Sequence, residues 1–208
     1  MGKVAKIIKR KRFMFRFFDV FFSFFGLILL SPIFFIIAIC IVCDSKGRVF
    51  YKQTRVGKDG IDFKLYKFRT MTVGSDKGSL ITIGARDSRI TKVGYFLRKY
   101  KLDELPQLIN VLLGNMSLVG PRPEVRKYVD LYDDDQRKVL QIRPGITDYA
   151  SIHYKNENEL LANVADPDKM YIEQILPQKI NYNMPYINNY TLVEYFKIIF
   201  LTFWKIFK

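Results

Sequence analysis

The residues best suited to chemistry lie in Lys101-Leu102-Asp103-Glu104-Leu105-Pro106-Gln107-Leu108 and, close behind, in Gly120-Pro121-Arg122-Pro123-Glu124. Two adjacent carboxylates, Asp103 and Glu104, stand ahead of a run in which Leu105, Leu108, Ile109, Leu112 and Leu113 fall on one helical face. This pattern places Asp103 at or next to the helix N-cap, with Pro106 tolerated in the first turn. Capping and dipole complementarity are the ordinary work of an acidic pair there. Here, however, Arg98, Arg122 and Arg143 crowd the pair in sequence. A helix N-terminus keeps a nearby carboxylate ionised, hence nucleophilic, and attracts phosphate. A carboxylate attacking a phosphoryl group meets like-charge repulsion, which arginines and a divalent cation offset. Adjacent carboxylates with phosphate oxygens and water suit Mg²⁺, so Asp103 and Glu104 are candidate metal ligands as well as catalytic groups. The competing acidic cluster, Asp133-Asp134-Asp135, reads as an N-cap and acidic first turn before Gln136-Arg137-Lys138-Val139-Leu140.

The elements that must hold this chemistry begin with a membrane segment. Val20 to Cys43 carries no charged residue; as a helix it would reach about 36 Å, enough to cross a bilayer core of about 30 Å. Lys/Arg-rich flanks lie on both sides, from Lys3 to Arg16 and from Lys46 to Lys58, and the positive-inside rule assigns both to the cytoplasm. Ser31-Pro32 in the middle offers a way out. Pro32 lacks an N–H and clashes with the carbonyl four residues back, and the Ser31 hydroxyl can help satisfy a freed carbonyl. A helix bent there enters and leaves by one face; a spanning helix with a proline kink is the level alternative. Cys40 and Cys43 read as small apolar residues in that helix, and nothing points to disulfides.

Val49 to Thr54 and Ile61 to Phe68 read as strands joined by the turn residues Gly57-Lys58-Asp59-Gly60. Thr72 to Ser88 reads as a loop, and the chain is mainly helical from Thr91 onward. At the far end, Leu192, Phe196, Ile199, Phe203 and Ile206 recur at helical spacing opposite Glu194, Lys197, Lys205 and Lys208. That helix either lies in the head-group layer or packs on the globular part. The formal net charge of +14, from 34 Lys and Arg against 20 Asp and Glu, favours anionic partners. Zinc spacing, aromatic RNA-binding signatures and a basic recognition helix are all missing from the sequence, which ranks nucleic acid last.

At the level of motifs, the chain resembles the bacterial sugar transferases in their small monotopic phosphoglycosyl transferase form. The matching segments are Ser31-Pro32, Gln53-Thr54-Arg55-Val56-Gly57, Tyr66-Lys67-Phe68-Arg69-Thr70-Met71, Leu97-Arg98 through Gln107, Gly114 through Glu124, and Arg143-Pro144-Gly145-Ile146-Thr147. The resemblance implies transfer of a phospho-sugar from a UDP-sugar to a polyprenol (undecaprenyl) phosphate with release of UMP. It makes Asp103 the nucleophile of a covalent phospho-sugar intermediate and Glu104 a holder of Mg²⁺. Lys67, Arg69, Arg98, Arg122, Arg143 and Lys155 become the substrate-binding set, with Arg143 divided between that role and a structural ion pair. Two departures stand out: Asp148 where many relatives have glycine, and Lys155 where arginine is common. Lysine keeps the charge but loses bidentate geometry.

The implied fold is α+β and mostly helical. A re-entrant membrane helix broken at Ser31-Pro32 occupies residues 1–45, and residues 46–208 form a catalytic domain with a small β-hairpin and interfacial amphipathic helices. The implied location is the cytoplasmic face of the bacterial inner membrane, among membrane lipids, with homo-oligomers left open. The competing function is a basic membrane-bound scaffold that grips anionic lipid, with Asp103-Glu104 as a simple cap.

Overall fold

The computed structural model describes residues 3–75, 87–154, 157–162, 164 and 166–207. Helix α1 (Lys3–Asp44) leads into strands β1 (Phe50–Val56) and β2 (Asp62–Phe68), then α2 (Lys92–Lys99), a 3-10 turn (Leu102–Glu104), α3 (Gln107–Leu113), β3 (Ser117–Val119) and α4 (Arg126–Val129). A 3-10 stretch (Gln136–Gln141), β4 (Gly145–Thr147), α5 (Tyr149–His153), α6 (Glu157–Ala162), α7 (Pro167–Met170), α8 (Leu176–Asn188) and α9 (Leu192–Phe207) complete the chain. The architecture is mostly helical, with one antiparallel hairpin, as the sequence implies.

Helix α1 stays helical through Pro32. Pro32 has no N–H for the Ile28 carbonyl, and the Ser31 hydroxyl donates to that carbonyl at 2.8 Å. The serine thus fills the rung that the proline removes, and the expected break is a relieved rung within one helix. The stretch Phe13–Asp44 is long and apolar enough to cross a membrane, and Leu29 and Phe35 expose 78% and 69% of their surface. Both ends of the stretch are nevertheless fastened to the globular part. At the N-terminal end, Arg16 donates to the carbonyls of Val111 and Leu112 at the end of α3. Asp19, buried, accepts from the Ser117 hydroxyl (2.9 Å), the Leu118 N–H (3.0 Å) and the Tyr195 hydroxyl (2.9 Å). At the C-terminal end, Ile37 and Ile41 pack with Phe68 and Leu97, and Asp44 accepts the Val93 N–H at the start of α2. A segment that enters and leaves a bilayer by one face requires such anchoring at both ends.

The hairpin has the expected strands, each moved by a residue or two. Its pairing runs from Phe50 opposite Phe68 to Val56 opposite Asp62. The Gly57 N–H closes on the Ile61 carbonyl, and Asp59 and Gly60 both take positive φ, so the connection is longer than a two-residue turn. Asn110, fully buried on α3, joins that helix to β2 by accepting the Tyr66 N–H (2.9 Å) and donating to the Lys64 carbonyl (2.7 Å). Strands β3 and β4 pair in parallel, Ser117 with Gly145 and Val119 with Thr147. A Cβ on Gly145 would come within 2.1 Å of the Gly120 nitrogen, so only glycine allows these backbones to meet there.

Asp133 closes the turn ahead of the next element, whose own N-cap, Asp135, makes no side-chain cap bond. Asp133 accepts the Gln136 N–H at 2.8 Å, and Gln136 returns the bond to the Asp133 N–H at 3.2 Å; the element that follows is 3-10 rather than α. Helix α9 packs one side on the globular part, as one reading of its sequence has it. Tyr195 and Ile198 are fully buried against Phe15 and Val119, while Val193, Phe200, Phe203 and Trp204 remain exposed.

Candidate active site

The acidic pair sits one turn earlier than its spacing suggests. Asp103 belongs to the 3-10 turn, and Pro106 occupies the N-cap of α3 with no side-chain cap. Asp103 is therefore not the N-cap of the apolar helix. Pro106 has no N–H to continue an α-helical ladder backward, so the chain closes with i→i+3 bonds, Leu105 N–H to the Leu102 carbonyl. Lys101 opens the turn in the left-handed region at φ 57°. A seven-residue helix beginning at Gln107 gives Asp103 little help from its dipole. Cations, not the dipole, are what oppose the burial of its charge.

Asp103 is 8% exposed. Burial pushes its carboxyl up, with Lys67 the strongest opposing charge, Glu104 adding to the rise, and Arg98 and Lys101 also opposing it. Glu104 goes the other way. Burial works against its charge, but Arg122 and Lys67 hold its carboxyl well below the usual range. The Arg122 guanidinium grips Glu104 in a bidentate fork, Nη1 to Oε2 at 3.0 Å and Nη2 to Oε1, and Lys67 Nζ donates to Oε1 at 3.0 Å. Burial lowers the Lys67 ammonium and the Arg98 guanidinium, against the attraction of Glu104 and Asp103 respectively. Two neighbouring carboxylates are thus driven apart, the usual preparation for two different tasks.

Of the residues expected to bind substrate, Lys67, Arg98 and Arg122 converge on the acidic pair. Arg69 and Arg143 do not. Arg69 is buried and donates to the carbonyls of Lys46 (2.6 Å), Ser45 (2.7 Å) and Ile41 (3.4 Å), closing the C-terminal end of α1. Arg143 donates from Nε to the Gly114 carbonyl at 2.9 Å, just past the C-terminal end of α3. Both satisfy orphan carbonyls of helix ends, a strong pull on any nearby guanidinium. Lys155 lies outside the described residues.

Several side chains that hold the site carried no assigned role in the sequence reading. Glu124 accepts from the Tyr171 hydroxyl at 2.5 Å and pairs with Lys179 and Arg55, each at 3.5 Å. Lys179 also reaches Glu157 at 3.1 Å. The available signal was Lys179 and Asn183, two polar residues one turn apart on a helix whose Leu176, Ile180 and Tyr186 are core. Asp148 was visible only as a departure from glycine.

Among the described residues, no group of three or more His, Cys, Asp or Glu comes together. Asp103 and Glu104 are the hard-oxygen donors at hand. Glu104 already receives three N–H bonds of the roughly four that a carboxylate accepts, so Asp103 has more ligand capacity left. Asp103 and Glu104 offer carboxylate oxygens of the kind Mg²⁺ takes when water and phosphate oxygens complete its shell.

Comparison with known proteins identifies the family. Residues 10–208 match the family model for bacterial sugar transferases. The chain belongs to the bacterial sugar transferase family. Relatives within reach include the UDP-glucose:undecaprenyl-phosphate glucose-1-phosphate transferase of Klebsiella pneumoniae, 40% identical over 195 residues, covering 90% of this chain and 38% of that protein. A UDP-N-acetylgalactosamine-undecaprenyl-phosphate N-acetylgalactosaminephosphotransferase of Aeromonas hydrophila is 38% identical over 177 residues, 84% of this chain and 39% of that one. The exopolysaccharide production protein ExoY of Sinorhizobium fredii is 33% identical over 202 residues, 90% of this chain and 82% of that protein. The chain thus spans well under half the length of the first two relatives and most of the third.

Proposed function

We propose that this bacterial sugar transferase moves a phospho-sugar from a UDP-sugar to a polyprenol phosphate at the cytoplasmic face of the membrane, releasing UMP. The observation that carries the reading is the buried Asp103-Glu104 pair ringed by Lys67, Arg98 and Arg122, in a chain whose apolar helix is anchored at both ends. A lipid-gripping scaffold needs no such convergence of charge. The cytoplasmic face follows from basic flanks on both sides of the apolar stretch.

In the reading we favour, an Asp103 carboxylate oxygen attacks the phosphorus that bears the sugar. The new O–P bond forms as the bond from that phosphorus to the bridging oxygen breaks, and UMP leaves with that oxygen. A polyprenol phosphate oxygen then attacks the same phosphorus, the aspartyl–phosphorus bond breaks, and Asp103 returns as a carboxylate. Arg98 and Lys67 stabilise negative charge on the phosphoryl oxygens. Arg122, fixed on Glu104, keeps that carboxylate ionised and aligned beside Asp103. Mg²⁺ held by Asp103 and Glu104 would supply charge neutralisation at the diphosphate.

The test is Asp103→Asn in the full membrane-bound chain, assayed for UMP release from a panel of UDP-sugars with undecaprenyl phosphate. Turnover should be lost while membrane association persists. Wild-type protein given a UDP-sugar alone should gain one phospho-sugar in mass on Asp103, and ping-pong kinetics should follow. Chelation with EDTA should stop turnover and Mg²⁺ should restore it. Substantial activity in Asp103→Asn, or UMP release only when both substrates are bound, would replace the covalent route with direct transfer.

A further inference from the structure

We infer that Asp148 and Asn183 are positioning residues for Arg122, an inference that rests on the site role given to Arg122 above. Arg122 lies between Pro121 and Pro123. Neither proline has an N–H, so Arg122 carries the one main-chain donor of that tripeptide. Asp148 Oδ2 accepts it at 2.9 Å. Asp148 is 2% exposed and accepts two further bonds, from the Ser151 N–H to Oδ1 at 2.6 Å and from Asn183 Nδ2 to Oδ2 at 2.7 Å. Bonds to an ionised acceptor are about twice as strong as neutral ones. The oxygen that holds Arg122 is thus the one that Asn183, itself buried on α8, also holds.

The rest of the segment is pinned in the same manner. The Pro121 carbonyl accepts the Gly145 N–H at 3.0 Å, the Pro123 carbonyl accepts Arg55 Nη1 at 3.1 Å, and the Glu124 carbonyl accepts the Val56 N–H at 2.9 Å. One turn before Asn183, Lys179 reaches the Glu124 carboxylate. Helix α8 therefore braces Arg122 through Asp148 and the following residue, Glu124, through Lys179. A glycine at position 148 would leave the Arg122 N–H without this acceptor. The route runs from Asn183 through Asp148 to the Arg122 backbone, and from its guanidinium to Glu104 beside Asp103. A displacement of about 1 Å at such a group costs about 100-fold in rate.

Asp148→Asn puts an amide among three N–H donors, so at least one must face another donor. Asn183→Ala removes the brace but keeps both acceptor oxygens of Asp148, at the loss of the long bond from the Ala150 N–H to Asn183 Oδ1 (3.4 Å). In the full membrane-bound chain, Asp148→Asn should lower kcat/KM for the UDP-sugar by about tenfold or more, with a raised KM. Asn183→Ala should do the same to a smaller extent. A partly unfolded population would lower apparent kcat at constant KM, so the split separates positioning from simple stability.

A second readout needs no turnover. Thermal unfolding of Asn183→Ala, Glu104→Gln and the double variant should give a Tm loss for the double smaller than the sum of the singles, because both act through Arg122. An unchanged KM in both single variants alongside active wild type, or additive Tm losses, would overturn the inference. Wild type inactive on every UDP-sugar would instead count against the proposed function, while the Tm cycle still decides the positioning role.

Discussion

At the N-terminal end of α3, Lys67, Arg98 and Arg122 face the carboxylates of Asp103 and Glu104. At its C-terminal end, Arg16 and Arg143 face carbonyl oxygens. One short helix therefore has cations at both ends, and the difference lies in what they neutralise. Carbonyls at a helix C-terminus carry a fixed partial charge that must be satisfied for the fold to form. The two adjacent buried carboxylates are met instead by charged side chains, with Arg122 and Lys67 on Glu104. Arg69 repeats the C-terminal pattern at the end of α1. A basic residue near the acidic pair in sequence thus meets either a carboxylate or a helix-end carbonyl, and the packing of the chain decides which.

Substitutions at the two ends should separate cleanly. Arg122→Ala removes the fork on Glu104 and should lower kcat/KM by about 100-fold, whereas Arg143→Ala should keep turnover per folded molecule close to wild type. Steady-state kinetics on detergent-solubilised protein compare the two, and equal losses would erase the distinction. Arg69→Ala should show in stability instead. It leaves the Ser45 and Lys46 carbonyls, just past α1, without this donor, at about 2 kcal/mol, or a Tm drop of roughly 4–8 °C for a domain of this size. Retention of wild-type Tm would mean that water replaces the guanidinium.

The smallest expected effects are the pH-dependent stability changes at Asp103, Glu104 and Glu124, and they differ in sign. Glu104 and Glu124 have carboxyls held below their ordinary 4.5. Their contribution to stability is fully present above that value and is lost as pH falls through the lowered ones, since the unfolded chain then binds more protons. Asp103 is raised above its ordinary 3.8, so its charge opposes folding once pH exceeds the folded value. Asp103→Asn should therefore raise Tm at pH 7.5 while abolishing turnover, and Glu104→Gln should lower it. Scanning calorimetry at pH 7.5 and pH 4 tests both signs, and the gap between Glu104→Gln and wild type should narrow in acid.

Much of this was legible in residue order. Local rules suffice for the Ser31–Ile28 bond, since serine and the freed carbonyl are three residues apart. They suffice as well for the hairpin and for the Asp133–Gln136 turn. Motif resemblance put Lys67 and Arg122 around the phosphates, but their convergence on Glu104 came only with the fold, because those residues lie 37 and 18 positions away and no periodicity links them. The parallel pair β3–β4 escaped because three-residue strands carry no pattern. Asp103 was placed one turn late because the apolar face begins at Leu105, while the hydrogen-bond ladder cannot begin before Pro106.

By itself the sequence determined the apolar helix with its serine-relieved proline, the basic flanks, the acidic pair and the family. These depend on composition and on neighbours within a few residues. Only the tertiary structure decided which arginines meet carboxylates and which meet carbonyls. It alone tied Asp19 to Ser117 and Tyr195, 98 and 176 positions away. It also set Asp148 and α8 behind Arg122. Guanidinium groups go to whichever unsatisfied oxygens the packed chain brings within reach, and that choice is made between elements distant in sequence.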